Sequence, residues 1–200
     1  MPAPATTSER RRRLPRASAC LGLLLAWLAA TWGAGQAHPP PAGPALRQAI
    51  ALHLVRPEGA GFVRERWTRE PDIVALYFGA GWCGPCHAFV PVLRRTRDAL
   101  REAGADTEVV YVSLDATASD MRHYMRRQEM PWPAIDHRRL RHLPAIQALA
   151  GPAPPNLVLV DREGKVLAGG WEGHRFRGLQ PVLDAWGRAL TGPPQAPGGR

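Results

Sequence analysis

Two cysteines three residues apart, Cys83 and Cys86, stand in the run Trp82-Cys83-Gly84-Pro85-Cys86. An uninterrupted apolar stretch, Ile73-Val74-Ala75-Leu76-Tyr77-Phe78, comes just before them. Such a run reads as a strand buried on both faces. From Cys83 to about Ala103 the period becomes helical, with Phe89, Val92, Leu93 and Leu100 on one side, arginines on the other and Gly104 as the stop. The pair therefore opens a helix at the end of a buried strand. Two thiols at that spacing close a small disulfide ring with little rearrangement. The unpaired N–H groups and partial positive charge of a helix N-terminus favour the thiolate of Cys83. Cys83 then attacks a substrate disulfide, and Cys86, one turn deeper, resolves the mixed disulfide. Pro85 fits because first-turn N–H groups have no helical partner. No bound cofactor is expected, because the Cys83–Cys86 disulfide is itself the redox group.

Other readings of the same residues compete with this one. A structural disulfide or half of a zinc site needs no strand behind it and no helix ahead. His87 completes the string Cys83-x-x-Cys86-His87, the attachment signature of c-type haem, so a haem-carrying electron-transfer module is the alternative of a different class. His87 otherwise reads as a solvated helix residue placed to tune the pair. His137 and His142, in Asp136-His137-Arg138-Arg139-Leu140-Arg141-His142, read as a polar loop and helix face, and no metal site is expected. Arg94, Arg95, Arg97 and Arg101 read as a wet helix surface, and Met121, Met125 and Met130 as packing. Trp132, between two prolines, belongs either in a groove beside the cysteines or in the core.

The elements that must position the pair follow from periodicity. Ala45 to Val55 is an amphipathic helix or ends in a strand, and Pro57 to Gly61 is a turn. After the active-site helix, Glu108 to Leu114 is a strand. A helix begins near Ser119, turns Met121, Tyr124 and Met125 inward and stops before Pro131. A short helix from about Arg138 to Leu149 follows. Asn156 to Val160 is a strand, turning through Asp161-Arg162-Glu163-Gly164 into Lys165 to Ala168. A last helix, about Arg177 to Leu190, faces Leu179, Val182, Leu183, Trp186 and Leu190 inward. The order β-α-β-α-β-β-α implies an α/β domain with a central sheet and helices on both faces. No internal repeat is visible.

At the scale of the chain, 200 residues with 45% apolar content can bury the core of one domain. Of the net charge of +9, five arginines (10–13 and 16) against Glu9 put +4 in the first 37 residues. Only Lys165 is a lysine, and no basic stripe is interleaved with aromatics, so nucleic acid is not an expected partner. The basic run ending at Arg16 leads into the uncharged segment 17–37. Gly35 and Ala37 there suit the −3 and −1 positions of a signal peptidase site. Residues 1–37 are therefore expected to be a signal peptide or an N-terminal membrane anchor, and the protein exported: periplasmic or extracytoplasmic. The four consecutive arginines admit twin-arginine export, while Cys20 lies before the leucine-rich core and not after it, unlike a lipoprotein acceptor. Residues 38–44 read as a proline-rich linker, 45–190 as the folded domain and 191–200 as a disordered tail.

From about Ile73 to Leu190 the sequence resembles the thioredoxin superfamily. Tyr77-Phe78-Gly79-Ala80-Gly81-Trp82-Cys83, Phe89-Val90-Pro91 and Met130-Pro131-Trp132 are similar to its tryparedoxin and nucleoredoxin branch. The resemblance implies a thioredoxin fold, a central mixed β-sheet flanked by helices, and thiol–disulfide exchange by Cys83 and Cys86. It implies Pro91 as a kinking proline and Pro155, just before the strand from Leu157, as a cis-proline against the disulfide. A substrate groove of Trp82, Gly84, Pro85, Pro154, Pro155 and Trp132 follows. Three departures stand out. Where thioredoxins carry a buried aspartate six residues before the first cysteine, this chain has Tyr77. Between its cysteines it has Gly84-Pro85, the thioredoxin spacer, and not two prolines. Pro154 has no N–H to give a client, unless Pro154 is the cis residue and Ala153 the donor. The Gly-Pro spacer goes with a reductant's potential of about −270 mV. That favours reduction of client disulfides over oxidase or isomerase activity. In an oxidising compartment a reductant implies a membrane-bound electron donor. Its clients would be protein disulfides and dithiols, such as apocytochrome c in cytochrome c maturation or mis-paired secreted proteins.

Overall fold

The computed structural model describes residues 43–191; the segment 1–37, most of the expected linker and the tail from residue 192 lie outside them. The chain enters at Gly43, in the left-handed region (φ 101°), and Pro44 takes the first position of helix α1, Pro44–Leu52. The linker expected through residue 44 thus gives way to the fold at its last two residues. A proline there costs no hydrogen bond and presets φ. Strands β1, Leu54–Glu58, and β2, Gly61–Arg64, form a hairpin where a turn over Pro57–Gly61 was expected. Pro57 is itself a strand residue, paired with Phe62, and the turn shrinks to Gly59 and Ala60.

The middle of the chain follows the apolar runs. β3 spans Ile73–Gly79, α2 Gly84–Glu102, β4 Thr107–Ser113 and α3 Ala118–Arg127. A two-residue strand β5, Ala134–Ile135, comes next. The single helix expected from 138 to 149 is two one-turn helices, α4 His137–Leu140 and α5 Pro144–Gln147. Pro144 cannot continue the first but suits the first turn of the second. β6, Asn156–Val160, and β7, Val166–Gly169, are followed by a hairpin that the sequence did not announce, β8 Trp171–Glu172 and β9 Arg175–Phe176. Gly178, at φ 91°, delays α6 to Gln180–Thr191.

Seven strands form one mixed sheet in the order β2-β1-β5-β4-β3-β6-β7. β3 pairs in parallel with β4 and antiparallel with β6, so it is central and buried along its length. The two-residue period of β3 sorts its side chains between two cores. Ala75 and Tyr77 face α2, α3 and α6, where Phe89, Leu93, Met121 and Trp186 pack. Val74, Leu76 and Phe78 face α1 and α5, meeting Leu46, Ile50 and Ile146. The helix-flanked mixed sheet is the thioredoxin-like architecture.

Of the α2 arginines expected to form a wet surface, Arg95 and Arg101 are exposed, whereas Arg94 is partly and Arg97 largely covered. Arg97 is largely buried and makes a two-point contact with Glu108 of β4, Nε to Oε1 at 2.6 Å and Nη2 to Oε2 at 2.8 Å. Arg101 adds a third donor to Glu108. Arg94 donates to the Glu129 carbonyl, and Arg95 stays exposed. Glu108 is 8% exposed. A buried carboxylate is costly unless paired, so it draws the arginines in.

Candidate functional site

β3 ends at Gly79, and three residues, Ala80, Gly81 and Trp82, bring the chain to Cys83, the N-cap of α2. Cys83 and Cys86 form a disulfide with their Cα atoms 5.2 Å apart. The Cys86 N–H, in the first turn, is shared between the Cys83 carbonyl at 3.1 Å and the Cys83 sulfur at 3.2 Å. Cys86 is fully buried and Cys83 is 4% exposed. Around them Gly84 and Pro85 are exposed and Trp82 is 67% exposed, so solvent reaches the pair from the Cys83 side. Helix α2 runs on through Pro91.

The loop before Cys83 is held at one residue. The Gly81 N–H donates to Asp115 Oδ1 at 2.7 Å, and the Gly81 carbonyl accepts from His87 Nε2–H at 2.8 Å. That carbonyl fixes the imidazole tautomer, so His87 Nδ1 accepts from the Gln128 amide at 2.9 Å. Tyr124 packs edge-on against the ring, with centroids 5.0 Å apart. Asp115 is itself nearly buried. Its Oδ2 accepts from Ser113 at 2.8 Å and Tyr111 at 3.2 Å, and its carbonyl accepts from His137 Nε2–H at 2.9 Å. Sequence reasoning missed Asp115 as a member of the site. The available signal was its place, an acidic residue just past the carboxyl end of a buried strand, where α/β sheets build their sites.

Tyr77 occupies the position six before Cys83. Its hydroxyl lies 3.4 Å from the Cys86 carbonyl and 3.3 Å from the Tyr124 hydroxyl. Burial, with Tyr124 adding to it, pushes the Tyr77 phenol far above its ordinary range, and burial does the same to Tyr111 beside Asp115. Tyr77 thus keeps its proton and is no base for Cys86.

On the opposite flank the peptide between Pro154 and Pro155 is cis, so the cis residue is Pro155 and not Pro154. Pro85, Phe89, Pro154, Pro155, Trp171 and Phe176 line an apolar groove of about 500 Å³. The β8–β9 hairpin builds one wall of it, with the Trp171 indole N–H donating to the Ala153 carbonyl at 3.0 Å. Its aromatic residues were not among the expected groove residues, because two-residue strands carry no periodic signal. Trp132, by contrast, is no groove residue. It is fully buried, its indole nitrogen has no hydrogen-bond partner, and it packs in the core with Met125 and Ala134.

The two histidines of the 136–142 segment are both engaged. His142 Nε2 accepts from Arg141 and His137 donates to Asp115. Among the described residues no group of three or more His, Cys, Asp or Glu is placed to hold a metal ion. Iron ligation by His87 would cost one of its two ring hydrogen bonds, and thioether attachment would need both sulfurs that here bond each other.

A central mixed sheet with helices on both faces, carrying a paired-cysteine helix N-terminus and a cis-proline on one groove, defines the thioredoxin-fold class. Residues 71–166 match the family model described as Thioredoxin-like. Nucleoredoxin of Homo sapiens is 33% identical over 127 residues, 60% of this chain and 27% of the relative. Probable nucleoredoxin 1 of Arabidopsis thaliana is 36% identical over 100 residues, 47% of this chain and 16% of the relative. The chain thus spans about a quarter or less of the length of these curated relatives. A solved structure of a mutant tryparedoxin-I superposes with a TM-score of 0.53 at 25% identity, covering 70% of this chain and 93% of that one. The chain belongs to the thioredoxin superfamily and is similar to its nucleoredoxin and tryparedoxin branch.

Proposed function

We propose that the protein is a thiol–disulfide oxidoreductase that reduces client disulfides, with Cys83 as nucleophile and Cys86 as resolving thiol. The observation that carries this reading is the asymmetry of the pair. The Cys83 sulfur sits at the helix N-terminus on the solvent side and receives the Cys86 N–H, while Cys86 is fully buried one turn deeper. A helix end that stabilises an anionic sulfur makes Cys83 both the better attacking and the better leaving thiolate. The apolar groove beside it suits a polypeptide client. The basic run to Arg16 and the uncharged segment 17–37 support export, and with export a membrane-bound electron donor. Cys83→Ser should abolish insulin reduction by a dithiol donor, while Cys86→Ser should accumulate a mixed disulfide with the client, resolved by gel shift. Equal iodoacetamide alkylation of both thiols in the reduced protein overturns the assignment of roles.

A further inference from the structure

We propose that His87 is the charge-balancing residue of the Cys83–Cys86 couple, its imidazole taking up one proton as the disulfide is reduced and so holding Cys83 as the thiolate. This rests on the oxidoreductase reading above.

The geometry suits a proton store. His87 follows Cys86 directly, and its backbone N–H points at the Cys83 carbonyl at 3.4 Å. Its ring is pinned by the Gly81 carbonyl at Nε2, by the Gln128 amide at Nδ1 and by the edge of Tyr124. A second proton enters at Nδ1. Gln128 then needs only to turn its amide over, presenting its oxygen in place of its NH2 group. The bond that fixes the loop, Nε2–H to Gly81, is the same in both charge states. The imidazole can therefore change charge without moving Cys83.

The redox state supplies the driving force. A cation on the first turns of a helix faces the positive end of the helix dipole, which opposes imidazolium while the sulfurs are bonded and neutral. Once Cys83 is a thiolate, a negative charge lies a turn away and the balance reverses. The charged and titratable groups facing the ring are Asp115, whose carboxylate already accepts three hydrogen bonds, and Asp120, His123, Tyr124 and Arg127 of α3, with Tyr77 beyond Tyr124.

The step balances with a dithiol donor. The donor gives two electrons and two protons and closes its own disulfide. The Cys83–Cys86 bond breaks, one proton goes to Cys86 as its thiol, and the other goes to His87, one helical turn along α2 from the Cys83 thiolate.

The imidazole resonances of His87, followed by NMR against pH in the oxidised and reduced protein, test this without any variant. Proton affinity at least tenfold higher in the reduced form is expected, and identical titration in both forms overturns the proposal. His87→Gln keeps an N–H donor for Gly81 but does not titrate. It should alkylate at Cys83 about tenfold more slowly at pH 6 and shift the glutathione equilibrium tenfold toward the disulfide, about 30 mV. Arg95→Gln, which removes an exposed charge further along α2, should leave both unchanged. A His87→Gln protein that reproduces the wild-type alkylation profile assigns His87 a purely structural part and overturns the proposal. A wild-type disulfide that does not exchange with glutathione at all takes the oxidoreductase reading down with it.

Discussion

The two flanks of the disulfide are built from opposite materials. On the α3 side, Asp115, Gly81, His87 and Gln128 are joined in a chain of three hydrogen bonds, anchored at Asp115 by Ser113. On the β8–β9 side, proline rings and aromatic faces line a groove with few polar atoms. Hydrogen bonds have direction and fix a position, whereas apolar contact is non-directional and tolerates varied partners. The contrast teaches that the polar flank sets where Cys83 sits and the apolar flank sets what reaches it.

The largest effect should come from breaking the polar flank. Asp115→Ala orphans the Gly81 N–H and the Ser113 hydroxyl, each worth about 1–3 kcal/mol when left unpaired, while the Tyr111 hydroxyl keeps the Gly79 carbonyl at 3.0 Å. With some relief by water, the loss of stability should be about 2–4 kcal/mol, read from denaturant midpoints at constant m. An unchanged midpoint would mean that the loop does not depend on this carboxylate.

A smaller and more selective effect belongs to the groove. Phe176 is half-exposed, so Phe176→Ala should cost little stability. Insulin reduction should fall about fivefold for roughly 1 kcal/mol of lost apolar contact, while a small aromatic disulfide is reduced as before. Equal losses on both substrates would place Phe176 in the chemistry and dissolve the distinction between flanks.

The smallest effects come from one substitution made at two glycines. A Cβ on Gly81 meets Tyr124 Cβ at 3.3 Å and Asp115 Oδ1 at 3.4 Å, so Gly81→Ala should destabilise by about 1 kcal/mol. A Cβ on Gly84 meets nothing, and Gly84→Ala should be neutral or stabilising by about 0.5 kcal/mol. Calorimetry on the pair decides whether tightness is confined to the α3 side.

What the sequence disclosed follows how far each signal spreads. The buried strand Ile73–Gly79 and the helix after Cys83 repeat their pattern over many residues and were legible. Strands β5, β8 and β9 have two residues each, too few for any period, and pairing across the sheet alone creates them. Pro57 argued for a turn because a strand's need for N–H groups varies with position, and β1 pairs with β5 only through Leu54 and Val55. Within the site, Cys83 and Cys86 were readable from local motif, and Pro155 followed from the family resemblance, with Pro154 left open as the cis residue until the backbone placed it. Asp115 and Gln128 were not, since their roles arise only when β4 and α3 meet the loop. Arg97 read as solvated because its partner, Glu108, is eleven residues away on another element.

Gly43 and Gly164 nearly touch: the Gly43 N–H donates to the Gly164 carbonyl at 3.1 Å, and a Cβ on Gly164 would overlap Gly43. Gly164 lies in the turn after β6, and β6 ends beside Val74, near the start of β3. The disulfide lies past the other end of the same strand. Gly43 thus lies at one pole of the described domain and the Cys83–Cys86 disulfide at the other, separated by roughly 20 Å of extended backbone. A tether fixed at Gly43 would therefore be attached at the end of the described domain away from Cys83. The domain can be mounted from its N-terminal side without masking the sulfur.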